Sequence, residues 1–399
     1  MAVTKIDVAA FISLSKIHPI IDVRSEGEYQ HAHIPAAYSL PLFNNEERKI
    51  IGTAYKQQSR EAAIKTGLDY FGKKMRAVVE DVEKLTDERG KKIVKISADE
   101  TTNCDPKTVL IHCWRGGMRS GAVAWLLDLY GFKVLSLSGG YKAFRNWVLQ
   151  QFEKEYSFRI LGGYTGSGKT YLLHELKNQG EKIIDLEQLA CHKGSAFGNI
   201  GFNPQPSQEM FENMLAVELD EAVNSFRLPV TACRLADNSE NAAGGERGPA
   251  DGEELQITNI KLQTPIWLED ESQRIGLVNI PMLLWKTMRQ QPVYFLNISF
   301  EERLQHIVNE YGKADKEKLV NAILRIQKRL GGLETKTALN FLVENNIKEC
   351  FRILLTYYDK QYLKALNNRE TGAPLITKIE CCSVDAKENA KQLLHLVKK

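Results

Sequence analysis

Phe158-Arg159-Ile160-Leu161-Gly162-Gly163-Tyr164-Thr165-Gly166-Ser167-Gly168-Lys169-Thr170 is the stretch whose reading decides the fold of the second half of this chain. Residues 158–161 form a short apolar run with strand character. Residues 163–170 match G-x-x-x-x-G-K-[ST] in full, and residues 171–177 continue as a helix. Strand, glycine loop and helix in that order make a cradle whose backbone N–H groups wrap a diphosphate. Lys169 supplies charge to the terminal phosphates and Thr170 a hydroxyl for Mg²⁺. The candidate diphosphate-binding residues are therefore Gly163, Gly166, Ser167, Gly168, Lys169 and Thr170. The motif reads a diphosphate and does not by itself distinguish a nucleotide from another diphosphate ester.

Downstream, residues 182–184 read as a strand ending in Asp185, and residues 265–268 and 292–298 as two more. Strands alternating with helices predict a doubly wound parallel sheet. Asp185, or the run Glu269, Asp270 and Glu271 after residues 265–268, are the candidate metal or substrate partners, with solvated turn acids as the competing reading of each; the metal itself is not identified. His192, Lys193 and Ser195 lie just past Asp185 as candidate substrate contacts. From about residue 300 the pattern turns to long helices, 316–330 and 338–366, which predict a helical C-terminal lobe. Residues 236–254 lack periodicity and are rich in Gly, Ala, Asn and charge, which predicts a surface loop or disordered insertion within 232–260.

Upstream, residues 18–23, 108–112 and 133–137 read as buried strands, with helices at 59–85 and 121–129 and an amphipathic helix at 141–156. The strand 108–112 runs into Cys113-Trp114-Arg115-Gly116-Gly117-Met118-Arg119, and a helix is expected from near Ser120. Two glycines let successive N–H groups point inward as an anion-binding nest. A thiol at its mouth, at a helix N-terminus, has a depressed pKa. Cys113 is the candidate catalytic thiolate, and Arg115, Gly116, Gly117 and Arg119 the candidate anion-binding residues. An isolated cysteine is usually packing material; here the glycines and arginines argue otherwise. Cys104, Cys191, Cys233 and Cys350 have no such surroundings and read as structural. The resulting partition is 1–145, a linker helix 146–157, a phosphate-loop domain 158–300, and a mainly helical region 301–399 completing it.

At 399 residues, two or three domains are expected. Apolar residues make up 43% and charged ones 26%, which is globular usage. A net charge of +3 excludes a global field for nucleic acid, so any basic surface is local. Seven cysteines without C-x-x-C spacing argue for a reducing compartment. The N-terminal residues do not read as a signal peptide, and no apolar run is long enough to span a membrane. A cytoplasmic location is expected.

Asp22-Val23-Arg24-Ser25-Glu26, Glu28-Tyr29 and His33-Ile34-Pro35-Ala36-Ala37, followed by the Cys113 loop, make the N-terminal unit resemble a rhodanese domain. The C-x5-R spacing is one residue longer than in most sulfurtransferase loops and matches that of rhodanese-like phosphatases, which suggests a donor bulkier than sulfane sulfur. CWRGGMRS followed by a phosphate-loop domain is similar to the bacterial tRNA 2-selenouridine synthase family over nearly the whole chain. Glu47-Arg48, Ile51-Gly52, Tyr55-Lys56-Gln57-Gln58, Asp185-Leu186-Glu187, Glu269-Asp270-Glu271-Ser272, Arg329-Leu330-Gly331-Gly332 and Tyr357-Tyr358-Asp359-Lys360 carry the match. The insertion near 232–260 exceeds the family pattern.

The resemblance implies a two-stage reaction on the wobble uridine of tRNA. A 2-thiouridine sulfur attacks geranyl diphosphate, and selenium from selenophosphate then replaces the S-geranyl group through Cys113 as carrier. It implies the anticodon stem-loop of tRNA as partner, a selenophosphate supply enzyme as a candidate second one, and no membrane. Candidate basic surfaces are Lys73, Lys74 and Arg76; Lys91 and Lys92; and Arg325, Lys328 and Arg329, each set against a plain solvated face. Trp114 is placed to stack on a splayed base or to pack the loop. The competing enzyme reading is an ATP-dependent sulfurtransferase, or a rhodanese-like phosphatase, fused to a kinase-like domain. A nucleotide-regulated binding protein is the non-enzyme reading, and the intact Cys113 counts against it.

Overall fold

The computed structural model describes residues 3–96, 107–224, 265–367 and 376–397. The described residues divide into two compact units, one ending at Gln151 and the other starting at Phe152. Both are α/β units built on parallel sheets. Among the described residues no helix is long and apolar enough to cross a membrane.

The first unit contains β1 (Thr4–Ile6), β2 (Ile20–Asp22), β3 (Ala37–Ser39), β4 (Thr108–His112) and β5 (Lys133–Leu137). They form one parallel sheet in the order β1-β5-β4-β2-β3. β4 is buried along its whole length, so its sequence TVLIH shows a continuous apolar run and no alternation. β1 and β3 escape sequence reading because they are three residues long and largely solvent-facing. The chain leaves β4 toward β5 on one side, and β2 leads to β3 on the other. The carboxyl end of β4 is therefore a topological switch point, where open α/β sheets bind ligands.

Two helices between β3 and β4, α3 (Asn45–Gln57) and α4 (Arg60–Ile96), form one wall of this unit. α3 starts on a reciprocal capping box between Asn44 and Glu47. Lys74 of α4 bonds Glu47 at 2.5 Å and the Leu42 carbonyl at 3.3 Å, which ties the two helices together. Phe71, Val78, Val79 and Val82 of α4 pack into the core formed by Ile21, Val109 and Ile111. α5 (Met118–Tyr130) follows the Cys113 loop, and α6 (Gly140–Gln151) ends earlier than the expected 156. Beyond it Phe152 and Tyr156 are buried, Tyr156 stacked on Phe158 at 5.5 Å.

The second unit has a parallel sheet of β6 (Phe158–Gly163), β7 (Ile183–Ile184), β8 (Ile266–Glu269), β11 (Val293–Ile298) and β12 (Ile376–Cys381). Its order is β12-β11-β6-β8-β7, with a small antiparallel pair, β9 (Arg274–Ile275) and β10 (Val278–Asn279), beside it. α7 (Lys169–Asn178) follows the glycine loop, α8 (Leu186–Ala190) follows β7, and α9 (Gln208–Asn224) and α10 (Met282–Arg289) complete the cover.

The helical lobe comprises α11 (Phe300–Tyr311), α12 (Lys316–Leu330), α13 (Gly332–Val343) and α14 (Ile347–Asn367), and α15 (Ala386–Val397) closes the chain. α12 has the expected bounds. Leu319, Ala322, Ile323, Ile326 and Leu330 recur at helical spacing and are all buried. Each large one contributes about 1.5–3 kcal/mol. The expected single helix 338–366 is instead two. Asn345 adopts φ +63°, and the Asn346 amide donates to the Phe341 carbonyl at 2.8 Å, a Schellman-type stop. The insertion 232–260, Cys104 and Cys233 lie outside the described residues.

Candidate functional site

Cys113 sits at the end of β4, 2% exposed. Its Sγ accepts hydrogen bonds from the Gly117 amide at 3.3 Å and the Ser120 hydroxyl at 3.2 Å. Burial pushes the thiol up, but the Ser120 hydroxyl and the amides of Ser120, Arg115 and Gly117 outweigh it and hold the thiol below its ordinary value. Ser120 is a functional candidate that sequence reading passes over; its place in the first turn of α5, one residue past the loop arginine, is the available signal.

The loop is held open by its neighbours. Tyr141 and Lys142 amides at the start of α6 donate to the carbonyls of Cys113 and Trp114 at 2.9 and 3.0 Å. Gly140 has φ +60°, and a Cβ there would lie 2.3 Å from the Cys113 carbonyl and 2.4 Å from the Gly116 amide. Beneath the loop, Arg24 and Asp22 form a buried ion pair at 2.6 Å, with the guanidinium 3.9 Å from the Tyr141 ring centre. Burial pushes His112 down to about 4, so it is neutral at pH 7, with Nε2 3.6 Å from Asp22.

Of the two loop arginines, Arg119 pairs with Glu28 at 2.8 Å, and Arg48 pairs with the same carboxylate at 3.0 Å. Arg115 is exposed. Both loop arginines, with Gly117, line a cavity of about 620 Å³ that opens onto Cys113.

In the second unit the glycine loop joins β6 to α7, with Gly166 at φ +81° and Gly168 at φ +71°. A Cβ at Gly168 would meet Val384 at 2.5 Å. Lys169 Nζ donates to the Gly163 carbonyl at 2.9 Å, and the Thr170 hydroxyl to Glu187 at 3.0 Å. Ser167 Oγ is buried with no hydrogen-bond partner among the described residues. Arg303 of α11 braces the loop, donating to the Thr165 carbonyl at 3.1 Å while pairing with Asp359 at 2.7 Å.

The expected acidic partners divide. Asp185 caps α8 by accepting from the Gln188 amide and also accepts from His174, both oxygens thus engaged. Asp270 accepts from Tyr362 at 2.8 Å. Glu269 is fully buried, with one oxygen on the Leu186 amide at 3.2 Å and the other without a hydrogen-bond partner among the described residues. The carboxylate beside Thr170 is Glu187, which sequence reading does not single out. Burial raises Glu187, and burial with repulsion from Glu187 raises Glu271 well above the carboxylate range, the two sharing a hydrogen bond. Among the described residues no three or more His, Cys, Asp or Glu side chains are grouped to hold a metal on their own.

The glycine loop opens into a cavity of about 550 Å³. One end holds Lys169, Thr170, Glu187 and Glu271; the other is apolar, with Phe197, Tyr311, Phe351, Leu354 and Leu355. Of the run expected to contact substrate, Lys193 and Ser195 line this cavity, Lys193 in an ion pair with Glu310. His192 does not. It is buried, its pKa lowered by that burial and by nearby Arg325, and it lines a separate groove with Arg274, Lys318, Arg325 and Arg329. Gly194, Ser195 and Ser272 border both spaces. Lys328 lies apart from that groove, Lys74 and Arg76 pair with Glu47 and Glu80, and the side chains of Lys91 and Lys92 lie outside the described residues.

Residues 156–231 and 253–386 match the family model described as the tRNA 2-selenouridine synthase AAA domain, and residues 7–146 match the rhodanese-like domain. The chain is 31% identical over 372 residues to a tRNA 2-selenouridine synthase of Sulfurovum sp. (strain NBC37-1), covering 86% of each. It is 32% identical over 375 residues to one from Hydrogenovibrio crunogenus, covering 86% of this chain and 88% of that one. For one from Bdellovibrio bacteriovorus the identity is 30% over 398 residues, covering 88% and 89%.

Proposed function

The chain belongs to the tRNA 2-selenouridine synthase family, and on that premise we propose that it performs both stages of wobble-uridine selenation. In the first, the sulfur of 2-thiouridine attacks C1 of geranyl diphosphate; the C–O bond breaks and pyrophosphate departs. In the second, the Cys113 thiolate takes the phosphoryl group of selenophosphate, an S–P bond forming as the P–Se bond breaks, and the selenide released in the loop attacks C2 of the uridine as the geranylthiolate departs. The second stage is redox-neutral throughout. Water then takes the phosphoryl group from Cys113 as phosphate, and the geranylthiolate picks up a proton to leave as geranylthiol.

The observation that carries the reading is the two-ended cavity at the glycine loop. A diphosphate suits the end with Lys169, Thr170 and the loop amides, which would stabilise charge as the leaving group departs. A ten-carbon chain offers no hydrogen bond and suits the end with Phe197, Phe351, Leu354 and Leu355. For the diphosphate to bind, Lys169 must leave the Gly163 carbonyl. The donor set fits Mg²⁺, which takes few protein ligands when phosphates supply the rest. Thr170 and Glu187 would hold it, and the ion would neutralise charge on the diphosphate.

The groove bearing Arg274, Lys318, Arg325 and Arg329 supports tRNA as the macromolecular substrate, since its charged lining residues are cationic and it borders the cavity through Ser195. Selenophosphate would come from a separate supply enzyme, and a cytoplasmic setting follows from the tRNA substrate.

The test is mass spectrometry of tRNA nucleosides after incubation with geranyl diphosphate and selenophosphate, singly and together. Stepwise S-geranyl-2-thiouridine and 2-selenouridine are expected. Cys113→Ala should lose the second product and keep the first, whereas Lys169→Ala should lower the first by about 10²-fold or more. Selenouridine formed by the Cys113→Ala protein would refute the part given to Cys113. Phosphate release from a generic phosphoester, lost with Cys113, would favour the phosphatase reading.

A further inference from the structure

The cavity over Cys113 has a lining that a small anion does not need. Its walls are Ile51 of α3, Ile64, Leu68 and Phe71 of α4, Trp114 of the loop and Met118 at the start of α5. Leu68, Met118 and Trp114 are 60%, 58% and 39% exposed, so the apolar surface stands open to water directly above the thiolate. Among the described residues the charged groups along it are Arg48, Lys56, Arg115 and Arg119, and no acidic side chain lines it. Selenophosphate is compact and anionic. The nest and one arginine satisfy it, and the rest of the cavity, which measures about 620 Å³ in all, is largely hydrocarbon-lined.

A protein segment seated there would lay its backbone across Cys113 and block the nucleophile. A ligand with an apolar chain and an adjoining polyanion meets both features: the chain against α3 and α4, the phosphates at the basic rim. We propose that this cavity binds the hydrocarbon chain of the S-prenyl group while C2 of the uridine lies at Cys113. This rests on the two-stage reading above and deepens it. In the exchange, the incoming selenide forms a C2–Se bond with its own electron pair as the C2–S bond breaks, and sulfur departs with that bond's electron pair as a thiolate still carrying the chain. A site that holds the chain also holds the leaving group in line, and it selects an S-prenyl over an S-methyl substituent by its length. The second unit's apolar cavity then serves the diphosphate ester, and the first unit's serves the thioether.

The test uses the full chain and two synthetic nucleosides, S-geranyl-2-thiouridine and S-methyl-2-thiouridine. Iodoacetamide labelling of Cys113, resolved by peptide mass spectrometry, reads occupancy without requiring turnover. At a fixed concentration, S-geranyl-2-thiouridine should slow Cys113 labelling at least tenfold and the S-methyl compound less than twofold. Leu68→Asp, at an exposed position where folding is not at stake, and Ile51→Asp should each abolish the protection. Equal protection by both nucleosides, no protection by either, or protection that survives both substitutions would overturn the proposal. A parallel selenation assay on S-geranylated and S-methylated anticodon stem-loops separates the two layers of the argument. Chain-dependent protection without selenation of either RNA would uphold the binding site and sink the functional reading. Selenation of both with equal KM would uphold that reading and sink the chain site.

Discussion

Replacing Ser120 by alanine removes the hydroxyl that donates to Cys113 Sγ at 3.2 Å and leaves the amides of Gly117, Arg115 and Ser120 in place. Hydrogen bonds to charged groups contribute about 1.5–3 kcal/mol. A sulfur acceptor belongs at the low end, and ~1.4 kcal/mol corresponds to one pKa unit. Ser120→Ala should therefore raise the Cys113 pKa by about 1 unit. Below both pKa values the thiolate population, and the alkylation rate with it, should fall about tenfold. The assay is the pH dependence of iodoacetamide labelling at Cys113 in both proteins. The sign also appears in stability. The folded-state pKa is depressed, so the thiolate stabilises the fold above the unfolded thiol's pKa, and that contribution fades as pH falls through the folded one. Ser120→Ala shrinks it. Labelling midpoints that agree within about 0.3 units would show that the hydroxyl does not set the thiol's acidity, and the argument from this loop's geometry would fail.

His112 is held neutral, at about 4, where an unfolded histidine titrates near 6.5. Its contribution is intact above pH 6.5 and declines toward pH 4, by about 3 kcal/mol in all; urea unfolding at pH 7.5 and 4.5 should show a drop that His112→Phe reduces. Lys318→Glu with Arg325→Glu should weaken tRNA binding and lower the salt slope by roughly one per lost phosphate contact, equally for all tRNA sequences. An unchanged slope in filter binding would move the RNA elsewhere. Leu355→Ala should cost about 2–5 kcal/mol of stability and shift preference from geranyl toward farnesyl diphosphate, read as a ratio of kcat/KM. An unaltered ratio would place the chain outside this cavity.

What the sequence made legible is what its chemistry keeps local. Residues 163–170 hold their ligand groups within one turn of chain, so strand, loop and helix fall where the pattern says. The Cys113 loop is legible for the same reason. Glu187 was not, because Asp185, two residues earlier, looks like the stronger metal partner until its side chain is seen committed to Gln188 and His174. The helix break at Asn345 was hidden because Glu-Asn-Asn continues a helical pattern, and only backbone geometry shows the reversal. The apolar ends of both cavities were invisible for a different reason. Phe197, Tyr311, Phe351 and Leu355 come from three separate segments, and Ile51, Leu68 and Trp114 from three more. No spacing rule links them.

Gly140 stands 27 positions after Cys113, and the empty space at its missing Cβ is what lets Cys113, Arg115 and Gly116 keep their places. In a saturation screen for loss of function, Gly140 should tolerate as few replacements as the nucleophile, since any side chain would strike the loop's backbone and L-residues resist its φ of +60°. An intolerance map read as a map of chemistry would then count one reacting residue too many. Suppressors of a Gly140 allele should arise in the loop and at the start of α6, where the clash is relieved, and not among the groups that bind substrate.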